Sequence, residues 1–545
     1  MNSAYILLIT LFAFILAYKF YAGFLSRLAG ISNDKPTPAH KKYDGVDYVP
    51  AKHWMILFGH HFSSIAGAGP IVGPILVCIW WGWLPAVVWA VLGSIFIGGV
   101  HDFLSLSISV REGGVSVGKV AENLISKRAG YVFLVFVWLS LVLVVSVFAL
   151  VCARTFLEKP EIVFPSLGII PVALVIGFLI YRLNMNLGLA TVIGLGCLAL
   201  FIFLGRFFPL DLSKNTWITI LFIYAFFASI IPVNLLLQPR DYLSSFLLWV
   251  GLIAMALGVF TSPKTIAYPA VKAFSSSSGG LLFPMMFITM ACGAISGFHS
   301  LVSGGTTSKQ LSKESDAKRI GYMGMLLEGV LAVLVVLCVL NGMQALGLSP
   351  KNVSSKEAIK LFSEGFGSLT FSFLKGWGSF LAIVILNSFI LTTLDTATRI
   401  TRYATQELFG IKSKVLSTFI VLAVAFILIL SGSWTKLWQV FGASNQLLAS
   451  LTLFVISLWL LSRKKKYLYA FIPGLIMLFV SLSALAVKLF GFWNKQNYFL
   501  FSLSVILCGL GMSMFIEVLQ KRRQYVLEKK QTDCSEIRRE FNLHG

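Results

Sequence analysis

Stretches of about 20 apolar residues recur along the entire chain, and very few folds can hold them. They fall at roughly 3–23, 61–80, 84–110, 131–153, 166–182, 187–205, 216–237, 243–260, 283–302, 321–346, 370–394, 414–431, 437–461, 467–489 and 497–519. Inside a bilayer every backbone N–H and C=O must be bonded within the protein, so runs of this length cross it as helices. The expected fold is therefore an all-α polytopic membrane bundle of about fifteen spans. Composition agrees: 57% of the 545 residues are hydrophobic, 12% are charged, and the mean hydropathy is +0.85. Soluble chains carry about twice that share of charge.

The net charge of +22 does not indicate nucleic-acid binding. Its basic residues sit in short clusters between apolar runs, such as Arg463-Lys464-Lys465-Lys466 and Lys521-Arg522-Arg523. That is the pattern of cytoplasmic loops beside a lipid bilayer. With the N-terminus outside, alternation makes 24–56, 111–130, 303–320, 395–413, 462–466 and the tail after 519 cytoplasmic, and these are the Lys/Arg-rich segments. An odd number of spans and a cytoplasmic C-terminus follow. The stretch Ala4–Ala17 has no basic residue before it and no small-residue cleavage site after it, so it reads as a retained span. The seven cysteines are scattered without a C-x-x-C pair, which gives neither a disulfide framework nor a zinc site. Residues 24–56 read as a soluble or surface-lying linker, and 520–545 as a charged tail that frays or forms a short amphipathic helix.

Two spans are poor helices. The first, Gly59–Pro74, places Gly67, Gly69, Pro70, Gly73 and Pro74 close together. Proline removes a backbone donor and glycine loses entropy in a helix, so an interruption is expected over Ala66–Pro74. Small residues also suit a tight helix crossing, although the two prolines serve that less well. The second, Gly293–Thr307, echoes the first: His61-Phe62-Ser63 aligns with Phe298-His299-Ser300, and Gly67 with Gly304. Its interruption is expected over Ser303–Thr307. The two spans run in opposite directions, which points to an inverted-repeat secondary transporter with its site at the breaks. Substrate would meet His61, Ser63, Ser64, Gly67, Gly69, Phe298, His299, Ser300 and Gly304, with a carboxylate held at a half-helix N-terminus.

Thr392, Asp395, Thr396 and Arg399 lie on one helix face near the cytoplasmic end of 370–394, suiting a cation or a proton; a helix-end salt bridge is the alternative. Asp102 and Glu328 are intramembrane carboxylates and further candidates for the coupling ion. His60, His61, His101, Asp102 and His299 form the one conceivable metal set. Adjacent helical side chains diverge by about 100°, so no metal is expected, and no cofactor either. Gln238-Pro239-Arg240-Asp241-Tyr242 and Asn445-Gln446 read as polar groups at helix ends, gates or caps. A membrane-embedded hydrolase using serine and histidine, or a nutrient sensor without transport, is the alternative class.

Phe58–Pro74, Gln238–Phe246, Cys292–Thr307, Glu328-Gly329, Leu391–Arg399 and Phe441–Ala449 together resemble the carbon-starvation protein A family of peptide and pyruvate transporters. The resemblance implies uptake of peptides or pyruvate, coupled to protons or sodium, across a bacterial inner membrane during carbon starvation. It also implies a LeuT-like five-plus-five fold of the amino acid–polyamine–organocation superfamily. On that plan, 1–60 is a first helix and linker, 61–205 the first repeat, and 206–282 inserted helices. Residues 283–461 are then the second repeat, 462–519 peripheral helices and 520–545 the tail. The break at Ala66–Gly69 would lie near Thr392, Asp395 and Thr396. Two features depart from the family: His101 stands where relatives often carry glutamine, and two extra spans separate the presumed first and sixth core helices. Oligomeric state is left open.

Overall fold

The computed structural model describes residues 2–348, 358–431 and 434–543. The chain enters with α1 (Ser3–Leu16), which continues through a π-turn into α2 (Ala22–Ala29). A linker with one helical turn, α3 (Pro38–Lys41), leads to the first interrupted span, α4 (Trp54–Ile65) and α5 (Gly69–Trp81). These two helices bend by 41° at the break. The chain returns through α6 (Trp83–Gly93) and α7 (Gly99–Arg111), turns at the short α8 (Val117–Leu124), and crosses again in α9 (Lys127–Glu158). Then come α10 (Val163–Tyr181), α11 (Leu187–Gly205), α12 (Lys214–Ile230) and α13 (Leu237–Thr261). A segment with a small hairpin, β1 (Ser275–Ser276) and β2 (Gly280–Leu281), precedes the second interrupted span, α14 (Leu282–Thr289) and α15 (Gly297–Gly305). The remainder is α16 (Met323–Ala345), α17 (Ala358–Leu374), α18 (Gly378–Phe409), α19 (Lys414–Ser431), α20 (Trp434–Ser462), α21 (Leu468–Asn494) and α22 (Tyr498–Leu543).

The all-α membrane bundle is as expected. By length and composition, the described residues hold 11 helices able to cross a membrane, or 12 with the bent pair as one span; α12 and α19 are shorter apolar helices. One expected span is divided differently. A turn at Lys375–Trp377, where Lys375 has a φ of 46°, separates α17 from α18. The span expected at 370–394 therefore begins at Gly378 and runs to Phe409, and Thr392–Arg399 lies well inside a helix rather than at its end.

The first interruption falls at Ala66–Ala68, inside the expected stretch, while Pro74 is accommodated within α5. The second is not where the glycines suggested. Gly304 and Gly305 form the last turn of α15, and the unwound residues are Met290–Ser296. Glycine at 305 serves a close approach instead, since a Cβ there would stand 3.0 Å from Ile400.

The two interruptions touch each other. A Cβ at Gly69 would lie 2.5 Å from the Cys292 sulfur, and one at Gly73 would lie 2.8 Å from the Thr289 carbonyl oxygen. Gly69→Ala should therefore lower the melting temperature of the detergent-purified protein, with an overpacking cost of about 1–3 kcal/mol. The double variant Gly69→Ala/Cys292→Gly should recover part of that loss; an unchanged melting temperature in Gly69→Ala would mean that the breaks are not in tight contact.

Candidate functional site

Unwound backbone in a membrane needs partners, and side chains of two other helices supply them. At the first break the Thr392 hydroxyl donates to the Ser63 carbonyl (2.7 Å) and the Thr393 hydroxyl to the Ser64 carbonyl (3.1 Å), both from α18. Ser64 Oγ and Thr396 Oγ1 lie 3.0 Å apart. At the second break, α20 performs the same task. Asn445 Oδ1 accepts from the Phe298 N–H (2.8 Å), Asn445 Nδ2 donates to Ser296 Oγ (2.9 Å), and Gln446 Nε2 donates to the Ile295 carbonyl (3.0 Å). Asn445 and Gln446 are thus mid-helix supports of the break, not helix-end groups.

Each break adjoins a buried ionic cluster. Beside the first, Arg240 on α13 bonds Asp395 and the Tyr224 hydroxyl through Nη1, and Asp241 Oδ1 through Nη2 at 2.6 Å. His60 Nδ1 lies 2.6 Å from Asp241 Oδ2, and the Tyr224 hydroxyl donates to Asp395 at 2.5 Å. One guanidinium thus meets two carboxylates. Arg240 and Asp241 stand at a helix end, as expected, in the first turns of the 25-residue α13, and both are buried. The sequence contained Asp395 and flagged 238–242, but nothing local linked residues 155 positions apart.

Beside the second break, His299 on α15 links two carboxylates from different helices. Its Nδ1 is 2.8 Å from Asp102 Oδ2 on α7, and its Nε2 is 3.3 Å from Glu328 Oε2 on α16. His101 Nδ1 sits 2.7 Å from Asp102 Oδ1. All four side chains are inaccessible to solvent. The His299–Glu328 contact has ion-pair distance but poor hydrogen-bond alignment, and neither Glu328 oxygen has a hydrogen-bond partner among the described residues.

The expected site residues therefore divide among several places. Ser63, Ser64, Thr392, Asp395 and Thr396 come together at the α4–α18 contact, while Asp102, His299 and Glu328 form the second cluster. His61 parts from His60, as adjacent helical residues must, and its Nδ1 meets Thr307 Oγ1 at 2.9 Å. Gly67 packs against Phe148 and Thr393, and Gly69 against Cys292. Phe298 is held by its backbone, and Ser300 bonds the Gly297 carbonyl. Ser300 and Gly304 line a cavity of about 450 Å³ that also reaches Tyr48, Ser116, Lys309 and Glu407. Its rim is made of the Lys/Arg-rich segments assigned to the cytoplasmic side. Ser116 lies in Gly114-Val115-Ser116-Val117-Gly118, a nucleophile-elbow spacing, yet it caps α8 by accepting from the Lys119 N–H and donates to Glu407. Among its recorded partners there is no histidine.

The linker is packed rather than loose. Val46 and Val49 offer carbonyls to Val233 N–H and Gln238, and Ala51 N–H donates to Gln310. Asp47 faces the buried Arg399 (2.9 Å) and Arg402 (3.4 Å) of α18, so Arg399 is a helix-interior charge clamped by the linker. Burial alone would raise the Asp47 carboxyl, but Arg399 and Arg402 hold it below its usual range. Burial draws the nearby Lys309 ammonium down to about 8, with Asp47 opposing.

A helical membrane bundle with two touching interruptions, each beside a buried ionic cluster, has the build of a membrane transporter. The family model and the sequence relatives show kinship. The chain belongs to the carbon starvation protein CstA family, whose model matches residues 2–363 and 348–484, as the motifs suggested. It is 32% identical to the peptide transporter CstA of Bacillus subtilis (strain 168), over 96% of this chain and 98% of that one. It is 30% identical to the pyruvate/proton symporter BtsT of Escherichia coli (strain K12), over 90% and 82%. Among solved structures, an Eremococcus coleocola manganese transporter aligns with a TM-score of 0.48 at 14% identity, over 89% of this chain and 99% of that one.

Asp47 supplies a test. Removing it leaves two buried guanidinium groups short of an anion, a loss of about 3 kcal/mol for such a pair. Because its folded pKa is depressed, the stabilisation is complete above the unfolded value of about 3.9 and is lost as pH falls through the folded value. Melting curves of Asp47→Asn should lie below wild type at neutral pH and converge with it only under strongly acidic conditions.

Proposed function

We propose that this protein is a proton-coupled importer of peptides or small carboxylates in a bacterial inner membrane, with its C-terminus in the cytoplasm, serving uptake during carbon starvation. The family membership and the named activities of the two relatives support the substrate class. In this reading the two interrupted spans are the pivots of a LeuT-like five-plus-five repeat over 61–205 and 283–461, with 206–282 inserted.

The observation that carries the proton assignment is His299. It stands on the half-helix that begins at the second break, and it reaches Asp102 on one side and Glu328 on the other. A buried ionised carboxylate needs bonded partners, and Glu328 has one poorly aligned imidazole. Tilting of α15 lengthens or shortens that contact, so the free energy of holding a proton at Glu328 changes with the conformation. That is the requirement for coupling. Beside the first break the Arg240 guanidinium already compensates Asp395. That cation of the protein's own stands beside Asp395 where sodium would have to sit, which favours the proton.

Liposomes carrying the protein and an inward-directed proton gradient should accumulate labelled pyruvate or alanyl-alanine, equally well when choline replaces sodium. Accumulation of neither above protein-free liposomes would sink the proposal. Glu328→Gln should abolish gradient-driven accumulation while keeping substrate exchange between loaded liposomes and medium. Loss of both would remove Glu328 from the coupling role.

A further inference from the structure

Four charged side chains line the cavity that ends on Ser300 and Gly304: Lys119 and Glu122, which pair with each other at 2.8 Å, and Glu407 and Lys309. The Lys309 ammonium lies 3.8 Å from the Tyr403 ring centroid and 5.4 Å from that of Tyr48. Among the described residues it makes no ion pair within 4.0 Å. The nearby carboxylates are committed elsewhere: Asp47 to Arg399 and Arg402, and Glu407 to the Ser116 hydroxyl at 3.1 Å. Asp44 is occupied by the backbone N–H groups of Val46, Asp47 and Tyr48. A half-buried cation framed by two aromatic rings, with no anion of its own, is an anion receptor in waiting.

Gly304 supports the same conclusion. A Cβ there would meet nothing closer than 3.5 Å, the Val115 carbonyl oxygen. Packing therefore does not demand glycine at this position, which lines the cavity. The opposite charge, Glu407, lines the same cavity. A dianion entering beside Lys309 would be repelled by it more strongly than a monocarboxylate, and a zwitterion would satisfy both groups.

We propose that Lys309 binds the substrate carboxylate in the inner vestibule, with Glu407 receiving the amino end when the substrate is a peptide. The proposal rests on the transport reading and adds to it the group that peptides and pyruvate have in common. The vestibule is then a second station, on the cytoplasmic side of the breaks, where substrate pauses before release.

The test is thermal stabilisation of the purified full-length protein by pyruvate, alanyl-alanine and alanyl-alanine amide, for wild type, Lys309→Met, Lys309→Arg and Glu407→Gln. A lost charge-assisted contact weakens binding by about ten- to a hundredfold. Lys309→Met should show that loss for pyruvate and for alanyl-alanine. Lys309→Arg should stay much closer to wild type. The amide should bind wild type more weakly than the acid, a comparison that holds even if Lys309→Met folds poorly, and should bind Lys309→Met no more weakly than wild type. Glu407→Gln should weaken the dipeptide while pyruvate binds as tightly as to wild type or more tightly, which separates the two substrates. The site is overturned if Lys309→Met matches wild type, if the amide binds wild type as tightly as the acid, or if neither carboxylate stabilises wild type. Stabilisation without accumulation in liposomes would instead sink the transport reading and leave the site standing.

Discussion

The fold depends on one requirement: the polypeptide is unwound twice inside the bundle, and its freed amide groups must be bonded there. The solution is the same at both points. A neighbouring helix contributes short polar side chains, Thr392 and Thr393 from α18 for the first break, and Asn445 and Gln446 from α20 for the second. Interhelical bonds of this kind are modest, averaging about 0.6 kcal/mol in membrane proteins. Their value lies in the alternative, since an unbonded amide at this depth costs several times as much. The close contact of Gly69 with Cys292 then locks the two unwound stretches together. Substituents larger than hydrogen on α5 would force them apart.

The two ionic clusters differ in how completely they are satisfied. Around Arg240, four residues from α4, α12, α13 and α18 share a dense set of bonds, and the group ties those helices into one unit. Around His299 the bonding is thinner. Among the described residues Glu328 has no aligned hydrogen bond, and the His101 and His299 Nε2 atoms have none either. A densely bonded cluster resists rearrangement even with Asp395 Oδ1 and His60 Nε2 lacking a hydrogen bond among the described residues, and a thinly bonded one responds to small displacements. The first suits a fixed scaffold element and the second a proton-responsive element.

Much of this was legible in the sequence, and the failures have a common cause. Apolar length gave the all-α membrane bundle, though about fifteen spans were expected where 11 or 12 helices among the described residues are long and apolar enough to cross, and Ala66–Pro74 gave the first break, because proline and glycine act locally. The flagged stretch Gly293–Thr307 overlaps the second break, but the interruption was misplaced towards Ser303–Thr307 because, whereas Gly304-Gly305 pairs two glycines, Met290–Ser296 holds a single one, Gly293, among Met, Ala, Cys, Ile and Ser. It is unwound because Asn445 and Gln446, some 150 residues later, bond its backbone. Local sequence carries no trace of that. Arg240 with Asp395, and Asp47 with Arg399, were hidden for the same reason. Asp395, Asp102, His299 and Glu328 were found as individuals, since intramembrane polarity is visible in one dimension. Their division into two clusters needed three.

The Asp47 clamp has a consequence for biogenesis. Asp47 and Arg399 are separated by 352 residues. At roughly 5–20 residues per second, synthesis puts about 18–70 s between them. Throughout that interval the linker waits at the membrane surface without the guanidinium groups it is built to receive. When α18 finally inserts, Arg399 and Arg402 must enter a polar environment already prepared for them, or remain outside. The order of translation therefore makes the linker a docking platform laid down early. Proper seating of α18 becomes a late checkpoint of assembly.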